Sequence, residues 1–281
     1  MIRVELMKML RRPRTWVVIA LIDALPTLVA FLLALTDVGP RPGTGPAFLS
    51  AVLNNGVLFP AAALAIVLPL FLPVSVAIVS GDSIAGEAGS GTLRYLLARP
   101  VGRTRLLAAK LVTLVVYTLA AVVLVALTAY LTGILLFGSQ PVAATPGGLT
   151  TSNIAATSLS GTGLSPAEIA LRTLGAVSFI AVSMLGVGAI ALFLSTVTDS
   201  ALGAALGALA ALITSEVLVT LSAASAVNPY LPTRYWLAWI DFFRDPIVWR
   251  NIERGYAVQG AYVLVFLGAA WAHFATKDIT S

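Results

Sequence analysis

Charge is the scarcest ingredient of this chain. Asp, Glu, Lys and Arg make up 10% of its 281 residues, while apolar side chains make up 59%. Soluble domains carry about 25% charged residues, so a water-soluble fold of this length could not cover its own surface. Disorder is excluded for the opposite reason, because the chain has too much apolar side chain to stay unpacked. Cysteine is absent, which excludes disulfides, thiolate zinc sites, iron–sulfur clusters and a thiol nucleophile. A single histidine, His273, argues against histidine-rich metal sites and histidine-based triads. No Gly-x-x-x-x-Gly-Lys-Ser/Thr phosphate loop occurs; Gly89-Ser90-Gly91-Thr92 is glycine-rich but lacks the lysine.

What is present is long apolar runs. A helix needs about 20 mostly apolar residues to cross a bilayer. Six stretches qualify: Trp16–Thr36, Val57–Ser80, Leu106–Phe137, Ile169–Leu194, Ala201–Leu221 and Tyr256–Phe274. The expected fold is therefore all-α, a single polytopic transmembrane domain over residues 1–281. Basic residues orient it. Counting Lys and Arg gives eleven on the side of the termini and five on the other, with Arg172 at a membrane edge. By the positive-inside rule both termini face the cytoplasm. A secretory signal is the alternative for the N-terminus. The run there is long, Asp23 interrupts it, and no small-residue cleavage site follows.

Residues 1–14 read as an interfacial helix. Ile2, Leu6, Met9 and Leu10 fall on one face, and Glu5, Lys8, Arg11 and Arg12 on the other. Such a basic amphipathic helix lies along an anionic leaflet, and Pro13 ends it. Pro141–Gly163 is an uncharged loop on the outer side. Ser165-Pro166-Ala167-Glu168 is a capping box that opens the fourth span. Residues 224–255 are rich in aromatics and read as helices at the outer interface, where rings favour the headgroup level. The alternative is a lid over a translocation path.

The loop 81–105 carries the most specific pattern. Thr92–Ala98 reads as a short helix with Leu93, Leu96 and Leu97 on one side, glycines before it and Pro100 after it. A short helix of this kind, placed between two spans, suits docking into a groove on another protein. Asp82, Glu87, Gly91-Thr92-Leu93, Leu96-Leu97, Pro100-Val101, Arg103 and Lys110 together resemble the inner loop of permease subunits of type-2 ATP-binding-cassette (ABC) exporters. The basic N-terminal elbow, the six spans and the tail Phe274-Ala275-Thr276-Lys277-Asp278-Ile279 extend the resemblance over the chain. The uncharged 141–163 loop is longer than in many members and leaves the cargo open.

The resemblance implies a permease without catalytic residues, metal or cofactor of its own. ATP and Mg would sit on two separate ATPase subunits. These would dock at Glu87, Thr92, Leu93, Arg94, Leu96 and Leu97. A second permease copy, or a related permease, would complete the path in the plasma membrane of a prokaryotic cell, with no nucleic-acid partner. Asp23, Gly203, Gly207 and Glu216 are candidates for the path or the dimer seam. A carboxylate at mid-bilayer costs roughly 2.5–3.5 kcal/mol, so Asp23 and Glu216 should face protein or a wet cavity. Packing is the favoured role for Asp23, whereas path and packing are equally open for Glu216. Gly203 and Gly207 belong to a small-residue stripe that lets helices approach. Pro60, Pro69 and Pro73 should kink the second span or leave carbonyls free in it. A secondary transporter or a membrane-embedded enzyme are the rival readings.

Overall fold

A computed structural model describes residues 1–36, 48–52, 55–92, 102–139 and 156–276. The chain is an all-α polytopic membrane protein. Among the described residues its α-helices are α1 (Ile2–Arg11), α2 (Pro13–Thr36), α3 (Leu49–Val52), α4 (Phe59–Val67), α5 (Phe71–Gly89), α6 (Arg103–Phe137), α7 (Pro166–Val197), α8 (Ala201–Thr220) and α9 (Trp249–Thr276). Six of them, α2 and α5 to α9, are long and apolar enough to cross a membrane. A two-residue antiparallel ladder, Ala156–Thr157 with Gly163–Leu164, precedes α7.

The predicted second span differs from the observed one. The run Val57–Ser80 is not one helix: α4 stops at Val67 and α5 begins at Phe71. Proline at 69 and 73 removes two backbone donors, so the carbonyls of Ala65 and Pro69 lose their partners four residues on. The break, Leu68–Leu70, is centred on Pro69, and Pro73 lies in the first turn of α5. Helices α4 and α5 together run antiparallel to α6. At one end Gly56 N–H donates to Gly138 O at 3.1 Å; at the other, Glu87 meets Lys110 at 2.8 Å. The second of these ends also holds α1 and the last turn of α9, where Arg103 donates to Ala275 O at 3.0 Å. It is called the near end here, and the opposite one the far end.

Helix α7 is the central post, packed against α5, α8 and α9, and most of its 32 residues face protein. Its start is the expected capping box: Ser165 Oγ accepts from Glu168 N–H, and the Glu168 carboxylate accepts from Ser165 N–H at 2.7 Å. Lipid gives apolar side chains no reason to leave it, so helices here associate through close packing and buried hydrogen bonds. Gly81 supplies one such approach. A Cβ placed there would stand 2.9 Å from Ala205 N and 3.1 Å from Ala201 O, so α5 and α8 touch backbone to backbone near the near end. Gly133 and Gly56 make a second such contact at the far end.

The aromatic-rich segment folds inward rather than lying on the interface. Its core is a 3-10 stretch, Trp236–Phe243, in which Trp236, Trp239, Phe242 and Phe243 are buried. Buried hydrogen bonds hold it in place. Gln259 donates to Pro232 O at 2.6 Å, and the Ser215 and Thr233 hydroxyls lie 2.8 Å apart. Arg172 caps the carbonyl of Arg244 at 2.8 Å. Tyr230 and Trp249 stay exposed, so the interfacial reading holds only for the ends of the segment.

Candidate functional site

Two features stand out, one at each end of the bundle. The near-end feature grows from α1. Its inward stripe is Glu5, Lys8, Met9 and Arg12, spaced at three and four residues. The stripe meets α5 and α6. Lys110, on α6, is 3% exposed and faces two carboxylates, Glu87 Oε2 at 2.8 Å and Glu5 Oε2 at 3.5 Å. Lys8 donates to the other oxygen of Glu87. Asp82, one turn earlier on α5, is paired with Arg12 at 3.0 Å and Arg14 at 2.8 Å. The elbow helix is thereby clamped to the second and third spans. Helical spacing puts Glu5 and Lys8 on the face of α1 opposite Met9, yet all three line the same junction. Glu5 and Lys8 point inward because Lys110 and Glu87 offer them partners, and the apolar Ile2 and Leu10 are the exposed ones.

Glu87 therefore sits differently from a free docking residue. It is 4% exposed and its carboxylate faces the clamp. Three residues on, Ser90 caps α5, and Gly91 takes φ +71°, a left-handed conformation that glycine adopts without a Cβ penalty. Thr92 is exposed, and its hydroxyl reaches back to Glu87 O at 3.3 Å. Leu93, Arg94, Leu96 and Leu97 lie outside the described residues.

A buried serine adds to the same end. Ser195 Oγ, on α7, donates to Gly81 O at 2.7 Å and accepts from Ile84 N–H at 3.0 Å and Ala85 N–H at 2.8 Å. The hydroxyl is inserted between a helix carbonyl and the amides that follow it, a recognised cause of local bending. Nothing in the α7 sequence marks Ser195 apart from being a hydroxyl in an apolar helix.

The far-end feature is a pocket of about 520 Å³. Its walls are the break in the second span at Leu68–Leu70, the far half of α8 and the turn Thr233–Leu237. The pocket lies beyond the glycine contact at which α5 and α8 touch, toward the far end. The lining is mostly apolar, with Glu216 and Arg234 as its two charged residues. Asp23 is elsewhere, half-buried between α2 and α6, and accepts from Thr128 Oγ1 at 2.9 Å, a packing contact. Gly203 faces outward, and a Cβ on Gly207 would come within 3.0 Å of the Leu194 side chain of the same chain. The in-chain face of α8 is instead Ala204, Ala205, Ala208, Leu212 and Ser215.

A family model described as "Protein of unknown function (DUF2705)" matches residues 44–280. The chain belongs to the DUF2705 family. A search of curated proteins returns no match. The DUF2705 segment contains the pocket, Ser195, Glu87 and Lys110, and begins beyond α1 and α2. Within this DUF2705 chain the clamp thus joins the family segment to the elbow helix that precedes it.

Proposed function

We propose that this chain is the membrane-spanning permease subunit of an ATP-driven ABC exporter, docking separate ATPase subunits and forming a transport path with a second permease. The observation that carries the proposal is the clamp. The loop bearing Gly91-Thr92-Leu93, Leu96-Leu97 and Pro100-Val101 leaves α5 at Gly89 and returns through α6 at Arg103. Both flanks are tied to α1 by the buried charges of Glu5, Glu87 and Lys110 and the half-buried Lys8. A loop anchored this firmly on both sides can pass a push from a docked partner to two spans at once. In this account Glu87 acts by positioning the loop, and Thr92, Leu93, Arg94, Leu96 and Leu97 make the contact. The near end faces the cytoplasm, where the basic residues of the chain are concentrated. Gly203 belongs to the outward face of α8 and suits a seam with a second permease.

Broken helices beside a pocket are also a device of secondary transporters, and the break at Leu68–Leu70 favours that as the second reading. The two readings differ in their energy source. Leu96→Asp should lower the ATP hydrolysis that co-purifies with the chain at least about tenfold, a loss of about 1.4 kcal/mol of docking, while the chain still inserts. Transport driven by an ion gradient in vesicles free of ATP would favour the second reading.

A further inference from the structure

The far-end pocket carries an inference that rests on the transport reading and deepens it by naming what the path holds. Glu216 and Arg234 bear opposite charges and line the same cavity. Their sequence neighbours Ser215 and Thr233 are joined hydroxyl to hydroxyl at 2.8 Å, which holds the two backbone segments together. Among the described residues, however, neither makes an ion pair or a side-chain hydrogen bond, and both are exposed to the cavity. One ligand carrying both signs can meet two opposite charges left apart beside an apolar wall. A ligand with one charge would satisfy one group and strand the other.

The rest of the lining is apolar, including Leu209, Leu212, Ile213 and Leu237. The volume of about 520 Å³ falls within the roughly 300–1,000 Å³ of small-molecule sites. Pro69, whose carbonyl finds no helix donor at Pro73, also lines the cavity. We propose that the pocket binds a small amphiphilic zwitterion, its cationic group on Glu216, its anionic group on Arg234 and its apolar body along α8.

Three probes with one fluorophore and one linker length test this: ε-dansyl-lysine, a zwitterion; dansylcadaverine, a cation; and 6-(dansylamino)hexanoic acid, an anion. Each is titrated into the full chain in phosphatidylcholine nanodiscs, and the signal from empty nanodiscs is subtracted. The zwitterion should bind at least about tenfold more tightly than either singly charged probe, a difference of about 1.4 kcal/mol. Glu216→Gln should abolish that advantage and leave the anion favoured; Arg234→Gln should leave the cation favoured. The charge-swapped double variant Glu216→Arg with Arg234→Glu should restore preference for the zwitterion, which a purely structural role for either residue would not do. Equal binding of the three probes, or a zwitterion preference that survives both single substitutions, would overturn the proposal. No ATPase is needed for this assay. Its failure leaves the permease reading standing, and loss of the ATPase leaves the pocket result standing.

Discussion

The two ends of the bundle treat opposite charges in opposite ways. At the near end, Glu5, Glu87, Lys8 and Lys110 are drawn into contact, and all but the half-buried Lys8 are closed off from solvent. At the far end, Glu216 and Arg234 share a cavity without joining. Joined and buried charges fix the relation between elements. Charges held apart over a cavity leave a place for something else. The contrast separates a region built to keep its shape from one built to receive a ligand.

The sharpest way to break the comparison is at Lys110. Lys110→Met leaves the Glu5 and Glu87 carboxylates buried with only Lys8 beside them, and removing one partner of a buried pair costs about 3–5 kcal/mol. Thermal unfolding of the purified chain should show a large loss of stability; an unchanged midpoint would mean that the clamp is wet and weak. Gly81→Leu comes next. Its side chain must push α8 away from α5, and overpacking of this kind costs about 1–3 kcal/mol. The same variant should also widen the far-end pocket and weaken probe binding, a link that a local clash alone would not produce. Thr128→Val removes the Asp23 hydrogen bond, and side-chain bonds of this kind between membrane helices average about 0.6 kcal/mol; double-mutant analysis with Asp23→Asn measures it. Arg12→Ala should do least at the near end, because its pair is exposed and Asp82 keeps Arg14; such pairs are worth about 0–1 kcal/mol. At the far end Glu216→Gln should leave the unfolding midpoint unchanged while altering probe binding. A stability loss there comparable to that of Lys110→Met would erase the distinction between the two regions.

Much of the scaffold was legible in the sequence because lipid imposes a simple rule on length and polarity. Five of the six spans lie where apolar runs placed them, and the capping box at Ser165 follows directly from residue order. The second span was misread because hydropathy continues unbroken through Leu68–Leu70, while the backbone does not. Three prolines announced trouble without saying where the helix would part. The inward turn of Glu5 and Lys8 was not legible because helical periodicity reports one helix at a time. Their partners, Lys110 and Glu87, stand about eighty to a hundred residues away in the chain. The aromatic segment misled for a related reason. Composition marks rings as suited to an interface, but the contacts to Gln259, Ser215 and Arg172 that draw Trp239 and Phe243 inward are tertiary. Glu216 was found from its chemistry alone, as a carboxylate in an apolar helix. Arg234 was missed as its counterpart because it lies in a turn where an arginine draws no notice.

The central claim is that the near end is a docking platform for an ATPase. Affinity purification of the tagged chain from its native cells in mild detergent tests it most directly, with ATP hydrolysis measured on the eluate. The account predicts that an ATPase subunit elutes with the chain in stable proportion, that the eluate hydrolyses ATP, and that Leu96→Asp releases the subunit while the chain stays folded. A chain that elutes folded and without an ATPase, or an ATPase still retained by Leu96→Asp, would contradict it.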